Sequence, residues 1–169
     1  MKRGFTLIEL LIVIAIISIL MTVTMKFWSN RINDLGYQAG KEQFSTAYDK
    51  LYAQATTSNY HNTTRYELLH LTLASGANPL AFAYDDGTNE YATLSTPATI
   101  SWLLLDDTIR DEVRLTLRPY TLWCDITSST DEWLYTWSTV RFSLLVKGQK
   151  HYCFSIQNDT CKLIEHTCE

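Results

Sequence analysis

A long hydrophobic segment stands at the N-terminal end of the chain, where residues 5–25 read FTLIELLIVIAIISILMTVTM. Glu9 is the one charged residue in this segment, which contains no lysine, arginine or histidine. About twenty apolar residues let an α-helix, which rises about 1.5 Å per residue, cross the ~30 Å hydrocarbon layer of a membrane. The pattern therefore predicts a transmembrane helix with an acidic side chain near its start, where burial in lipid costs about 2.5–3.5 kcal/mol.

An amphipathic pattern continues the helix beyond the hydrophobic segment, and no proline occurs before Pro79. Residues 26–57 carry apolar side chains at the three- and four-residue intervals of an amphipathic helix. Gly36 and Gly40 are each about 1 kcal/mol less favourable than alanine in a helix, so a bend is possible near them. One apolar stripe of this continuation is predicted to pack against the rest of the protein: Phe44, Tyr48, Leu51, Tyr52 and Ala55.

Short segments typical of β-strands follow the polar segment 57–62. They are apolar or alternate between apolar and polar residues, and turn sequences such as Asp86-Gly87 separate them. Strands joined by short turns form antiparallel sheets. The pattern predicts a head domain over residues 58–169 and an α+β fold, in which the long N-terminal helix packs on a C-terminal antiparallel β-sheet. The predicted strands are residues 65–73, 80–84, 90–94, 99–105, 113–118, 140–144, 152–156 and 161–164.

Two basic residues, Lys2 and Arg3, precede the hydrophobic segment and predict that its N-terminal end stays in the cytoplasm while the C-terminus faces outward. A secretory signal has a shorter apolar core, with its cleavage site after that core. Here the small boundary residue, Gly4, lies ahead of the segment. Cleavage between Gly4 and Phe5 would remove a leader peptide of residues 1–4 and expose an α-amino group with an ordinary pKa of about 7.7–8.0. That amine is a candidate counter-ion for Glu9, within the chain or in a neighbouring copy.

The sequence Gly4-Phe5-Thr6-Leu7-Ile8-Glu9, followed by an unbroken apolar helix, resembles the cleavage and methylation signature of type IV prepilins and type II secretion pseudopilins. The resemblance implies that a prepilin peptidase cuts after Gly4, that Phe5 is N-methylated, and that Glu9 pairs with a neighbouring N-terminus during filament assembly. It also implies a pilin-like fold. The implied partners are copies of the chain and related pilins, bound through the N-terminal helix, the prepilin peptidase/methylase, and the inner-membrane assembly machinery.

The resemblance also implies a location. The protein would be a single-pass protein of the inner (cytoplasmic) membrane with its C-terminus outside, and then part of a periplasmic or extracellular filament. Many pilins kink the helix at a proline or glycine, whereas this chain has neither between Gly4 and Gly36. The motif does not separate a type IV pilus from a type II secretion or competence system, nor a major from a minor subunit. The alternative is a membrane-anchored binding protein that acts in DNA uptake or adhesion through its outer domain.

The charge of the chain disfavours nucleic-acid binding as the main activity. Removing Lys2 and Arg3 with the leader lowers the basic count from 14 to 12 against 18 acidic residues, so the net charge changes from −4 to −6. Non-specific binding to nucleic acid depends on a basic surface. Arg114 and Arg118 are predicted to lie on one exposed face of a strand, where they would form a local basic stripe. This stripe is weak support for a DNA-uptake role.

The four cysteines are Cys124, Cys153, Cys161 and Cys168. An even number in an outward-facing domain predicts two disulfides, for which three pairings exist. We favour Cys153–Cys161 with Cys124–Cys168, because the first closes a short hairpin and the second attaches the C-terminus. A zinc site is the alternative, but zinc ligands usually include a closely spaced C-x2-C pair, which this chain lacks.

No known catalytic motif is present, so we expect a non-enzymatic protein without a cofactor. A weak calcium candidate lies in the loop at residues 85–90, because hard cations take six to eight oxygen ligands. The loop does not follow the twelve-residue calcium pattern, and a solvated hairpin turn is the favoured interpretation. The candidate ligands are Asp85, Asp86, Asn89 and Glu90.

Aromatic residues concentrate late in the chain, and exposed tryptophan and tyrosine are common at interfaces. The favoured interpretation is that residues 133, 135 and 137 alternate into the core from one strand. The alternative is a contact between subunits or an outer binding surface. The residues concerned are Tyr120, Trp123, Trp133, Tyr135 and Trp137.

Overall fold

The computed structural model describes residues 7–61, 64–76, 79–84, 89–92, 94–128 and 138–168. In this part of the chain one α-helix, α1, spans Leu7–Thr57 and is followed by strands. The strands are β1 Tyr60–His61, β2 Thr64–Arg65, β3 Leu69–Ala74, β4 Leu80–Tyr84, β5 Asn89–Tyr91, β6 Ala98–Leu105, β7 Thr108–Ile109, β8 Glu112–Leu117, β9 Cys124–Ser128, β10 Thr139–Val146, β11 Lys150–Gln157 and β12 Leu163–His166.

The chain divides into two compact units, Met1–Gly36 and Tyr37–Glu169. In the first unit, the described residues are the N-terminal part of α1, and residues 7–35 are exposed throughout. Their hydroxyl groups bond to the helix itself: Ser18 donates to the carbonyl of Ile14 at 2.8 Å, and Thr22 donates to the carbonyl of Ser18 at 2.8 Å. Hydroxyls bonded in this way are compatible with an apolar environment, where an unsatisfied polar group is costly.

Two five-stranded antiparallel sheets make up most of the second unit. Sheet I has the order β5-β4-β3-β8-β9, and sheet II has the order β12-β11-β10-β6-β7, while β1 and β2 form a separate short hairpin. The predicted α+β class, with a long helix packed on antiparallel β-structure, is confirmed. The expectation of one sheet is wrong, because an alternating pattern shows that a strand has a buried face but not which strand it pairs with.

The sequence pattern missed β9, although its side chains alternate regularly between the core and the surface. The inward residues are Cys124, Ile126 and Ser128, of which only one is a large aliphatic residue. The hydrophobic signal is therefore weak. The strand is identified by its pairing with β8, in which Leu115 lies opposite Ile126.

The aromatic stripe of α1 packs into the core, as predicted. Phe44, Tyr48 and Ala55 are 0% exposed and Leu51 is 6% exposed. The Phe44 ring lies 5.7 Å from the Phe142 ring of β10. Each such large side chain contributes about 1.5–3 kcal/mol through removal from water, so the stripe fixes α1 to the sheets.

Gly40 permits close approach of the helix to sheet II. A Cβ atom at this position would lie 2.5 Å from Val146 Cγ1 and 2.9 Å from Thr96 Cγ2. The helix continues through both Gly36 and Gly40. The glycine at position 40 therefore serves packing, and it does not end the helix.

A tight turn of two aspartates joins β6 to β7. Asp106 and Asp107 have φ angles of 42° and 68°, and the flanking residues Leu105 and Thr108 are paired. Two positive φ angles are the signature of a type I′ hairpin turn, in which aspartate is tolerated better than most residues. Asp106 Oδ1 also accepts hydrogen bonds from the Ser138 hydroxyl at 3.0 Å and the Thr139 backbone N–H at 3.1 Å.

Candidate functional site

Glu9 lies in the first turn of α1 and its side chain is exposed. A carboxylate at this end of a helix is stabilised by the helix dipole, typically by about 0.3–1 kcal/mol. Its neighbours along the chain, Ile8 and Leu10, are 66% and 54% exposed. The predicted cleavage and methylation positions, Gly4 and Phe5, lie outside the described residues.

An extended apolar surface covers the helix around and beyond this carboxylate. One helix of the described chain is long and apolar enough to cross a membrane by length and composition. Its residues 7–25 are all exposed. A contiguous apolar surface of this kind marks contact with lipid or with other proteins. We refer to residues 7–25 as the apolar helix surface.

The four cysteines form two disulfides, Cys124–Cys161 and Cys153–Cys168. The pairing favoured from the sequence is therefore wrong. In sheet II, Cys153 of β11 lies opposite His166 of β12, which brings Cys168 close to Cys153 two residues later. Loop lengths alone contain no information on this strand pairing.

The Cys124–Cys161 disulfide follows from contact between the start of β9 and the turn after β11. The Cys124 backbone N–H donates to the Asn158 carbonyl at 3.0 Å, and the Cα atoms of Cys124 and Cys161 are 5.9 Å apart. This separation is normal for a disulfide. Because β9 was not predicted from the sequence, its contact with the turn that contains Cys161 was not predicted either.

The calcium candidate stays a prediction. Asp85 and Asp86 lie outside the described residues, and for Asn89 and Glu90 only the backbone, in β5, is described. The hairpin itself is present, because Ala83 of β4 pairs with Asn89. Elsewhere in the described ranges, no group of three or more histidine, cysteine, aspartate or glutamate side chains is arranged to hold a metal ion.

Tyr120 and Trp123 are surface residues, with exposed fractions of 67% and 45%. Arg118 places its guanidinium 5.4 Å from the centre of the Trp123 ring and 3.7 Å from the Asp125 carboxylate. Arg114 and Arg118 are both exposed, as the strand pattern predicts, but the acidic neighbour of Arg118 weakens a basic stripe. The other three aromatic candidates, Trp133, Tyr135 and Trp137, lie outside the described residues.

A cleft of about 880 Å³ lies along sheet II. Arg141 pairs across it with Asp107 at 2.9 Å, and His166 Nε2 lies 2.5 Å from the Ser155 hydroxyl. Sequence analysis did not identify this cleft, because its lining residues come from several strands that are distant in sequence. Among the lining residues are Trp102, Leu104, Asp107, Arg141, Ser155 and His166.

Two tyrosines at the junction of α1 with the strands have raised pKa values. Burial is the main cause for Tyr48, whose hydroxyl donates to the Cys161 carbonyl at 2.7 Å. Burial, followed by the nearby Tyr84 and Tyr120, raises the pKa of Tyr66 to about 12. The Tyr66 hydroxyl donates to the Ser58 carbonyl at 2.7 Å. Both hydroxyls therefore act as neutral hydrogen-bond donors, which is a structural role.

Comparison with known proteins identifies the N-terminal segment. Residues 1–25 match the family described as the prokaryotic N-terminal methylation motif. Comparisons with curated proteins and with solved structures gave no match. Residues 1–25 thus carry the motif that is the signature of type IV pilins and pseudopilins.

Proposed function

We propose that this chain is a structural subunit of a type IV pilus-like filament, either a pilin or a minor pseudopilin of a type IV pilus or type II secretion system. The observation that carries the proposal is the apolar helix surface, which is exposed along its full length and lies within the segment that matches the methylation motif, residues 1–25. Before assembly this surface is covered by lipid. In the filament, the same segments of neighbouring subunits cover one another.

Exchange of lipid for other helices costs little, because lipid tails and aliphatic side chains are similarly apolar. Hydrophobicity alone therefore gives little preference for one register between helices. Glu9 supplies that preference. A carboxylate in apolar surroundings is stabilised only in the register that places a cation beside it. The proposed cation is the Phe5 amine of a neighbouring subunit, which prepilin peptidase exposes by cutting after Gly4 and which is then N-methylated.

The head is the part of the subunit that faces outward in this proposal. Two disulfides cross-link the head, and disulfides persist in oxidising compartments such as the periplasm. This supports insertion in the inner membrane with the C-terminus outside, followed by a periplasmic or extracellular filament.

The test is Glu9→Gln, which removes the charge while nearly preserving the size of the side chain. Membrane insertion and leader removal should be normal, but filaments should be at least about tenfold fewer, because an ion pair that loses one partner is destabilised by about 3–5 kcal/mol. The measurement is the yield of sheared filaments relative to the membrane pool.

Glu42→Gln is the matched control, since Glu42 is an exposed glutamate on the same helix and lies outside the apolar helix surface. It should assemble like the unmodified protein. Normal filament yield from Glu9→Gln would overturn the proposed pairing.

The second candidate function is a membrane-anchored binding protein, for DNA uptake or adhesion, which needs no filament. The exposed Tyr120, Trp123 and Arg118 support it, because such residues are enriched at binding interfaces. A protein of this kind would keep its binding activity when Glu9→Gln blocks assembly.

A further inference from the structure

The two disulfides differ in exposure. Cys124 and Cys161 are 2% and 0% exposed, so their disulfide is enclosed by the core. Cys153 is 7% exposed, and its partner Cys168 is an exposed residue. Thiol–disulfide exchange requires a thiolate to reach one of the two sulfurs, so access distinguishes these bonds.

The exposed disulfide closes a short C-terminal segment, residues 162–168, which we name the strap. The strap begins directly after Cys161, whose carbonyl accepts the hydrogen bond from Tyr48 and whose N–H donates to the Gln157 carbonyl at 2.7 Å. It ends at Cys168. One end is therefore fixed in the core, and the other end is held by a bond at the surface.

Little apolar burial holds the strap between these two points. In β12, Ile164, Glu165 and His166 are exposed and Leu163 is half-buried. The strand pairs with β11 at the edge of sheet II. Two polar contacts also hold β12: an ion pair between Lys41 and Glu165 at 2.9 Å and the contact of His166 with Ser155.

We propose that Cys153–Cys168 is a thiol–disulfide exchange site for a dithiol, and that opening it releases the strap from β11 while Cys124–Cys161 stays closed. The proposal rests on the contrast in exposure and on the weak burial of β12. It does not depend on filament assembly, because both features belong to a single chain.

The exchange is a two-electron reaction in two steps. A thiolate of the dithiol attacks the sulfur of Cys168, the exposed residue of the pair, which forms a mixed disulfide and expels the Cys153 thiolate. The second thiolate of the reagent then attacks the reagent's sulfur in the mixed disulfide and expels the Cys168 thiolate. The reagent leaves as a disulfide, and the two protons that its thiols lose end on Cys153 and Cys168.

Release of the strap changes two features of sheet II. The backbone of β11 loses its partner on one side and becomes an edge strand, with unpaired N–H and C=O groups. The cleft along sheet II also changes, because Cys153, His166 and Thr167 are among its lining residues. The disulfide therefore controls both the sheet edge and one wall of the cleft.

The test uses the full chain in detergent micelles, treated with increasing dithiothreitol under native conditions and then alkylated with iodoacetamide. Mass spectrometry of peptides should show Cys153 and Cys168 labelled at least about tenfold faster than Cys124 and Cys161, as access dictates. Hydrogen exchange of the same samples should speed up in β12 and β11 while β10 stays protected.

Two matched double variants complete the test. Cys153→Ser with Cys168→Ser should reproduce the hydrogen-exchange pattern of the mildly reduced protein without any reductant. Cys124→Ser with Cys161→Ser should leave Cys153–Cys168 reducible at its original rate. Simultaneous labelling of all four cysteines in the unmodified chain, or an unchanged exchange rate in β12 after reduction, would overturn the proposal.

Discussion

Single residues determine how closely the helix and the sheets approach each other. At Gly40 the space for a side chain is already occupied by the branched side chain of Val146 and by Thr96. Val146 is itself 0% exposed and has little freedom to move. The absence of a Cβ atom is therefore a packing requirement. The cost of a clash at this position outweighs the helix preference of alanine over glycine, which is about 1 kcal/mol.

Gly40→Ala should destabilise the head by about 1–3 kcal/mol, the usual cost of overpacking a core. The free energy of unfolding, from denaturant titration in detergent, is the measurement. Gln38→Ala, at an exposed position of the same helix, is the control and should be nearly neutral. The cost of Gly40→Ala should shrink in a Val146→Ala background, since the clash is removed there. An equal cost in both backgrounds would show that Val146 does not cause the constraint.

At the scale of elements, α1 is one helix with two segments that differ in burial. Residues 7–35 are exposed, whereas the stripe from Gly40 to Ala55 is buried, and its Phe44 ring packs on Phe142 and Phe154 of sheet II. Hydrogen bonds support this burial near the helix C-terminus. The hydroxyls of Tyr48 and Tyr52 donate to the carbonyls of Cys161 and Thr160, in the turn that precedes the strap.

Tyr48→Phe should lower the free energy of unfolding by about 1–3 kcal/mol, because it leaves a buried carbonyl without its donor. Tyr52→Phe is the matched control, since its hydroxyl makes the same kind of bond at 3.0 Å but the residue is only half-buried. Water can replace the hydroxyl there, so the loss should be smaller. The comparison is again by denaturant unfolding, and a larger loss for Tyr52→Phe would contradict the assignment.

Sequence predicted these elements with uneven success, for physical reasons. The helical stripe at Phe44 and Tyr48 repeats at the helix period and was predicted directly. Residues of β8 alternate, so the exposed position of Arg114 was predicted, as was that of Arg118 directly after the strand. Strand partners, disulfide pairs and the role of Gly40 depend on residues distant in sequence, and local periodicity contains no information about them.

The same difference between local and long-range information separates the N-terminal site from the cleft along sheet II. Glu9 was identified because one carboxylate in a run of apolar residues is unusual, and a local motif of this kind is readable without a fold. The cleft along sheet II was not identified, because its walls come from β6, β10, β11 and the strap. Residues of those elements meet only when the strands pair.

At the scale of the whole molecule, the chain combines an exposed apolar helix surface with a head that has a buried core and two disulfides. The disulfides join residues 37 and 15 positions apart, and each contributes about 3–4 kcal/mol in a chain-entropy description. A cross-linked head is consistent with the proposed function, in which the apolar helix surface would exchange lipid for other subunits while the head keeps its fold.

The most direct test of the account is the intact mass of the protein isolated from the cells that produce it. The account predicts a mature chain that has lost residues 1–4 and gained one methyl group at Phe5, with four cysteines oxidised in two disulfides. A protein that retains Met1 to Gly4, or that carries a free unmethylated Phe5 amine in assembled filaments, would contradict it.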